Sequence, residues 1–342
     1  MMKTSANNQI KTASPPKSVK PRSITDVVGL EVGADLDFGT PAVRMRIRSG
    51  EPEIVAAGFL PIDSRIPGSF PSESPESRWQ LPKPFCAPSA AIAVNSEDSI
   101  LRQAVSVDDA LSDRDKHSYR TRQYKSRSGF LSFVAAIPET IASWAASLLP
   151  EGRKPTACSI QISALARLNA FAASETFLKS NGKALAIFVG PESSALVIFD
   201  DFEPLLYREH SIGSNNAIEA VSLGMNLDRA TSEKILNETL VDPTSMLEPT
   251  LGPLFRQAEL SVDYASRKNG SFIENFYLCG LTTGSRYWAQ LFREKTGAEI
   301  VPISPALDYR RSSSAVLPDG FEKLAPLFMP AIGAAMAVLE DA

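Results

Sequence analysis

The chain has 342 residues, 44% of them hydrophobic, with 35 Lys and Arg against 39 Asp and Glu, a formal net charge of −4. That length suits about two domains of ~150 residues, and the acidic balance argues against a general nucleic-acid binder, which needs a concentrated basic surface. Cys86, Cys158 and Cys279 lie far apart with no CxxC spacing, which excludes a disulfide framework or a thiolate zinc site and leaves three free thiols.

Residues 1–24 open with MMKTSANNQIKTASPPKSVKPR. Ser, Asn, Pro and Lys dominate and there is no apolar h-region, so the segment is expected to be a disordered basic tail rather than a secretory signal. Lys3, Lys11, Lys17, Lys20 and Arg22 precede the first acid, Asp26. A solvated tail is the first reading, and contact with an anionic surface the second. No apolar run approaches the ~18–20 residues that span a bilayer.

Apolar and β-branched runs predict strands over 27–32, 43–47 and 53–60. The first ends in Gly33, and GADLDFGTP separates it from the second. Proline-rich 61–88 reads as an irregular surface connection. Strands are predicted over 90–94 and 101–105, then a basic run at 113–127, DRDKHSYRTRQYKSR. Arg and Tyr in this run fit an exposed edge strand or loop better than a nucleic-acid platform. Strand 129–137 leads to Pro138 opening a helix, with Ile141, Trp144, Ala145 and Leu148 on one face. Strand 156–162 follows, and Ser163 is placed to cap a helix over 164–180.

The stretch 183–213 reads as a β-meander of 184–189, 195–199 and 205–210, punctuated by Gly190, Asp200-Asp201 and Gly213. A strand that ends in glycine and turns at once into another can aim backbone N–H groups at an anion, so Gly33 and Gly190 mark two similar turns in one chain. Beyond it come predicted helices 214–223 and 229–237, the second capped by Asn226 or Asp228. A proline-bounded linker is expected at 241–253, then a helix over 254–268 stopped by Gly270. Strand 272–279 ends in Gly280, helix 283–295 ends at Gly297, and 298–303 reads as the closing strand. An apolar helix over 325–339 is expected to be buried against a sheet. His117 and His210 are the only histidines, with no acid partner at a recognisable spacing, and GxSxG, P-loop and HExxH motifs are absent.

The order β-β-β, insertion, β-α-β-α, then β-β-β, helical insertion, α-β-α-β-α matches the duplicated layout of the actin-like ATPase superfamily. VVGLEVG at 27–33, SALARLNAFA at 163–172, LFRQAELSVDYASRKNG at 254–270, and FYLCG followed by GAEIVPISP resemble, in order, the motifs of the PilM family of actin-like type IV pilus assembly proteins of Gram-negative bacteria. The resemblance implies an α/β, actin-like ATPase fold of two ribonuclease H-like halves, each with an inserted small subdomain. It divides the chain into a tail at 1–24, a first half at 25–182 with an insertion at about 89–155, and a second half at 183–342 with a helical subdomain at about 214–253.

In that superfamily two glycine hairpins hold nucleotide phosphates and an acid in each positions metal or water. Carried over, ATP with Mg would contact Glu31, Gly33, Asp37, Gly39, Thr40, Gly190 and Gly280. The first turn has two registers, Glu31 with Gly33 or DFGTPAVR with Asp37, Gly39 and Thr40. The second hairpin places Phe188 where an acid is expected and Pro191 beside Gly190, and CGLTTG lacks a second glycine after Gly280. ATP binding and hydrolysis are therefore expected to be weak or lost, with no catalytic or metal residue assigned. The resemblance implies a cytoplasmic adaptor, peripheral on the inner membrane, which binds the N-terminal cytoplasmic peptide of a PilN-like membrane protein between the first half and its insertion, and no nucleic acid. The alternatives are an active actin-fold ATPase or kinase, and a filament-forming cytoskeletal or division protein.

Overall fold

The computed structural model describes residues 23–34, 38–62, 64–67, 79–112, 118–125, 132–149, 154–238, 241–270 and 272–339. The tail 1–22, Asp37, His117 and both ends of the basic run lie outside them. In chain order the strands of the first half are β1 (Asp26–Val32), β2 (Thr40–Arg48), β3 (Glu51–Leu60), β4 (Ser89–Val94), β5 (Ile100–Gln103), β6 (Tyr119–Lys125), β7 (Ser132–Pro138) and β8 (Thr156–Ile162). Among them run α1 (Val107–Ala110) and α2 (Glu139–Ser147), and after β8 come α3 (Ser163–Ala172) and α4 (Glu175–Leu178). The rest comprises β9 (Ala184–Val189), β10 (Ser194–Asp200), β11 (Glu203–His210), α5 (Ser214–Met225), α6 (Arg229–Asn237), α7 (Thr244–Asn269), β12 (Asn275–Cys279), α8 (Ser285–Thr296), β13 (Val301–Ile303), β14 (Arg310–Val316), α9 (Phe321–Leu324) and α10 (Met329–Met336).

The duplication is visible in the strand order. The first sheet contains β3-β2-β1-β4-β8 and the second β11-β10-β9-β12-β13, the same antiparallel meander followed by two parallel strands. A small sheet, β5-β7-β6, lies in the insertion, with the basic run forming its edge strand β6. The meander at 183–213 forms as read, turning at Asp201 and Phe202, both at positive φ.

Strand β9 is buried on both faces, as a central strand of a covered sheet must be. The two-residue period sends Leu185, Ile187 and Val189 into one core with α5, α7 and α8. It sends Ala184, Ala186 and Phe188 into a second core shared with α3, β1 and α10. Phe188 meets Phe171 edge-on at 5.5 Å, so the ring at the expected acid position is an element of the contact between halves.

Four expectations are corrected. The proline-bounded linker at 241–253 is the start of α7, with Pro249 and Pro253 inside the helix. Each interior proline costs about 3 kcal/mol, but Leu247, Leu251, Leu254, Phe255 and Ala258 are all fully buried at helical spacing, and each large side chain returns about 1.5–3 kcal/mol. The helix at 164–180 is two: Ser174 bonds Phe171 O at 2.7 Å, and its Oγ accepts from Phe177 N at 3.3 Å, ending one helix and capping the next. Ser163 is the first residue of α3 rather than its cap, because Ile162 holds the extended capping position. Residues 298–303 do not close the chain: β13 is the edge of the second sheet, and polar β14 then joins the first sheet parallel to β3. A strand reading RRSSSAV carries no apolar alternation, and it is held by its ladder and by Arg46 Nη2 donating to Ser312 Oγ at 3.3 Å. Of the two candidate caps for α6, Asp228 accepts from Thr231 N at 3.0 Å, whereas Asn226 ends α5 in the left-handed region.

The C-terminal α10 is buried along nearly its whole length and packs on β1, β4 and α3. It approaches backbone to backbone. A Cβ on Gly29 would stand 1.8 Å from Ala331 O, and one on Gly333 would stand 1.7 Å from Ala166 O. Among the described residues no helix is long and apolar enough to cross a membrane. Because backbone cannot step aside as a side chain can, Gly333→Ala is expected to lower stability by about 3 kcal/mol or more. Urea unfolding would read it, and a loss below 1 kcal/mol would contradict this packing.

Candidate functional site

The C-terminal ends of β1, β9 and β12 lie together, which gathers Glu31, Gly190 and Gly280 around one cleft of about 350 Å³ between the halves. Its other walls come from α3, the start of α5, α6 and residues 326–330, with Phe38, Asn95, Thr282 and Thr283 at the rim. Three of the predicted site residues thus share one cavity. Gly39 and Thr40 do not line it, and Asp37 lies outside the described residues.

Several backbone donors of the glycine turns and of the start of α5 are engaged within the chain. Gly33 N donates to Ser64 O at 2.8 Å, and Gly190 N donates to Ser193 O at 2.8 Å. Pro191 has no N–H. The opening N–H groups of α5 are consumed as well, Ser214 N by Gly190 O and Asn215 N by Pro191 O, each at 2.9 Å. Thr40 Oγ1 is committed to Ile62 O and Ser64 Oγ, each at 2.8 Å. Gly33 and Gly280 have φ of +82° and +93°, and a Cβ there would lie 2.1 Å from Asn95 O and 2.4 Å from Val189 O. Close strand approach therefore accounts for both glycines without a ligand. Phe188 stands in the wall, and among the described residues no cluster of three or more His, Cys, Asp or Glu side chains is placed to hold a metal ion.

What the cleft does hold is a set of charged side chains. Glu31 is 3% exposed on β1, and its carboxyl stands against the hydroxyl of the equally buried Ser163 on α3. Burial pushes the Glu31 carboxyl up from its usual range, and the Arg167 charge and Ser163 only partly counter it. Arg167 extends from α3 with Nη1 3.3 Å from where a Gly190 Cβ would sit. It makes no hydrogen bond or ion pair among the described residues. Arg229, the second cation of the cleft, is held by Glu233 at 2.9 Å and Asn215 at 2.5 Å. Arg167 is the one charge in Ser163–Ala172, and that isolation in an apolar helix was its only signal in the sequence.

A second, larger cavity of about 740 Å³ separates the first sheet from the inserted subdomain. It runs along β8, the outermost strand of its sheet, and is walled by β6, β7, α2, α3 and the segment after α10. Ala142, Ala146, Ile160, Ile162 and Leu165 supply apolar lining, and Arg122 and Tyr124 sit on the β6 side, with the guanidinium 5.2 Å from the ring centroid. Gln161 is 9% exposed in this wall; its Oε1 accepts from Asn169 Nδ2 at 3.0 Å, and its Nε2 is buried without a partner. Sequence pattern alone had located no residue of this groove.

No family model matches the sequence, and no curated protein does. Among solved structures the chain is similar to the PilM-PilN type IV pilus biogenesis complex, with 17% identity over 92% of this chain and 98% of that one and a TM-score of 0.61. It is also similar to a Bacteroides thetaiotaomicron protein of actin-like ATPase fold and unknown function, at 8% identity over 83% and 93% of the two chains, TM-score 0.43. A third match is Ta0583, an archaeal actin homologue, at 13% identity over 91% and 99%, TM-score 0.40. The chain has the actin-like ATPase fold, divergent in sequence.

The raised Glu31 pKa has a sign that can be measured. The native state favours the protonated carboxyl, so ionisation costs stability as pH rises through the folded pKa, and no cost is present below the ordinary value of 4.5. Glu31→Gln is therefore expected to be more stable than the parent at pH 8, by about 1 kcal/mol or more given the cost of burying a charged carboxylate. The gain should shrink as pH falls toward 4.5. Thermal melts between pH 4 and 8 would show it, and a variant less stable at pH 8 would contradict the assignment.

Proposed function

We propose that this chain is a PilM-like adaptor that holds an extended peptide in the groove beside β8, the peptide being the cytoplasmic N-terminus of a PilN-like inner-membrane protein. The observation that carries this reading is the groove itself: an unpaired sheet edge with an apolar floor, closed on its far side by the inserted subdomain. A sheet edge offers main-chain hydrogen bonds to any extended segment, and the pockets beside it choose the side chains. The unpartnered Gln161 amide, oriented by Asn169, adds a donor on the groove wall. The structural likeness to PilM, which that complex pairs with PilN, supports the same partner class here. Such a protein works at the cytoplasmic face of the inner membrane, attached through its partner.

In this reading Mg·ATP turnover is weak or lost, because the hairpin donors are engaged internally and Phe188 belongs to the core between halves. The groove does not depend on the cleft, so an adaptor needs no turnover.

The test is direct binding of synthetic peptides matching the cytoplasmic N-termini of single-span inner-membrane proteins, followed by fluorescence anisotropy. One such peptide should bind. Ala146→Trp, which fills the groove, should weaken it at least about tenfold, roughly 1.4 kcal/mol, and leave stability within about 0.5 kcal/mol. Equal binding by the filled groove would move the site elsewhere, and failure of every peptide would remove the adaptor reading.

A further inference from the structure

We propose that the protein lies on an anionic lipid surface through one basic face, made by the entry edge of the first sheet together with residues 1–22. The inference rests on the adaptor reading for which membrane is meant, but neither the peptide groove nor the cleft takes part in the contact.

The topology of the first sheet gathers one set of chain ends. Parallel strands β1, β4 and β8 begin at a single edge, with Val27 beside Ser89 and Ser89 beside Thr156. The β2–β3 hairpin turns at that edge, where Arg48 pairs with Glu51, and β14 enters there with Arg310 beside Glu53. The cleft lies at the opposite end of β1. The acids at these strand ends are each held by an arginine: Asp26 by Arg44 at 2.7 Å, Glu53 by Arg46 at 2.6 Å and Glu51 by Arg310 at 3.2 Å. Three further cations are exposed and have no ion pair among the described residues: Arg48 at the hairpin, Lys83 in the turn before β4, and Lys154 just before β8. Arg44 Nη1 donates to Pro84 O at 3.5 Å and ties that turn to the edge. The edge therefore stays positive after its acids are paired.

The segment 1–22 is attached at the same edge, because Ser23 leads directly into β1. It carries Lys3, Lys11, Lys17, Lys20 and Arg22 with no Asp or Glu. That is +5 in a chain of net charge −4, which leaves −9 for residues 23–342. Positive charge is thus concentrated at one end of an otherwise acidic molecule. An anionic membrane fits this distribution. A plane meets one face only and leaves the acidic remainder beyond the Debye length of about 8 Å. A single-stranded nucleic acid would call for stacking aromatics among the cations, and residues 1–22 contain no Phe, Tyr or Trp. Attraction between basic side chains and anionic headgroups sums over scattered charges and needs no built pocket.

The experiment is co-sedimentation of the full chain with vesicles of phosphatidylcholine, alone or mixed with phosphatidylglycerol. Binding is expected only with the anionic vesicles, and it should weaken as salt rises from about 0.1 M to about 0.5 M. Each cation near such a surface is worth about fivefold in partitioning. Replacing Lys17, Lys20 and Arg22 together by Gln should therefore weaken binding at least about tenfold. Replacing Arg48, Lys83 and Lys154 together by Gln should do the same, with Tm unchanged because all three are exposed. If that triple variant does not fold, Arg48→Gln alone decides, with a loss of about fivefold expected. Equal binding to both kinds of vesicle, binding to neither, or a loss confined to the tail variant or to the edge variant would each overturn the proposal. Tighter binding to a DNA duplex than to anionic vesicles in the same buffer would overturn it in favour of nucleic acid. The vesicles carry no peptide, so the two readings fail separately. Peptide binding without vesicle binding removes the lipid surface alone, and vesicle binding without any peptide binding removes the adaptor alone.

Discussion

The fold depends on a close backbone approach that only glycine permits. Helix α10 lies against β1 at Gly29 and against α3 through Gly333, with carbonyl oxygens of Ala331 and Ala166 occupying the space that side chains would need. Because α10 is the last helix described, the chain reaches the core of its own first sheet only after both halves are complete in sequence. Contacts of that sequence separation carry a loop-closure cost, though one that grows only slowly with loop length. They are offset by burial of Met329, Ala331, Ile332, Ala334 and Ala335 at 1% exposure or less.

From that packing the position of the cleft follows. With α3 pressed between α10 and the second sheet, Phe171 at its C-terminal end meets Phe177, Phe188, Phe199 and Tyr277 at centroid distances of 4.8 to 5.6 Å. This aromatic cluster joins the halves below the strand ends. Arg167, nearer the start of the same helix, reaches the cleft above. One helix thus supplies both an apolar contact that holds the halves together and one of the cations of the cleft.

The two cavities differ in kind. The cleft is lined by engaged backbone and by the charged side chains Glu31, Arg167, Arg229 and Glu233. The groove has an open strand edge and an apolar floor, so it suits an extended chain. The small sheet that walls the groove also reaches the second half, where Gln103 Nε2 on β5 donates to Leu205 O on β11 at 3.1 Å. The insertion therefore touches both halves while forming one side of the groove.

Local chemistry made most of the elements legible. Strand β9 ends where Gly190 says it must, α7 and α8 stop at Gly270 and Gly297 in the left-handed region, and Asp228 caps α6. Those features need only near neighbours in the chain, and the repeated meander they spell out was enough to read the duplicated actin-like order. Where the reading went wrong, distant contacts had overridden local preference: Leu247 and Leu251 draw Pro249 and Pro253 into a helix, and polar β14 becomes a strand because β3 offers an edge. The candidate sites divide the same way. The family resemblance grouped Glu31, Gly190 and Gly280 and marked Phe188 as a departure. Only the tertiary structure decided that the Gly33 and Gly190 N–H groups are bonded within the chain, that Arg167 stands beside Gly190, and that β8 borders a groove, because each is a relation between residues far apart in the chain.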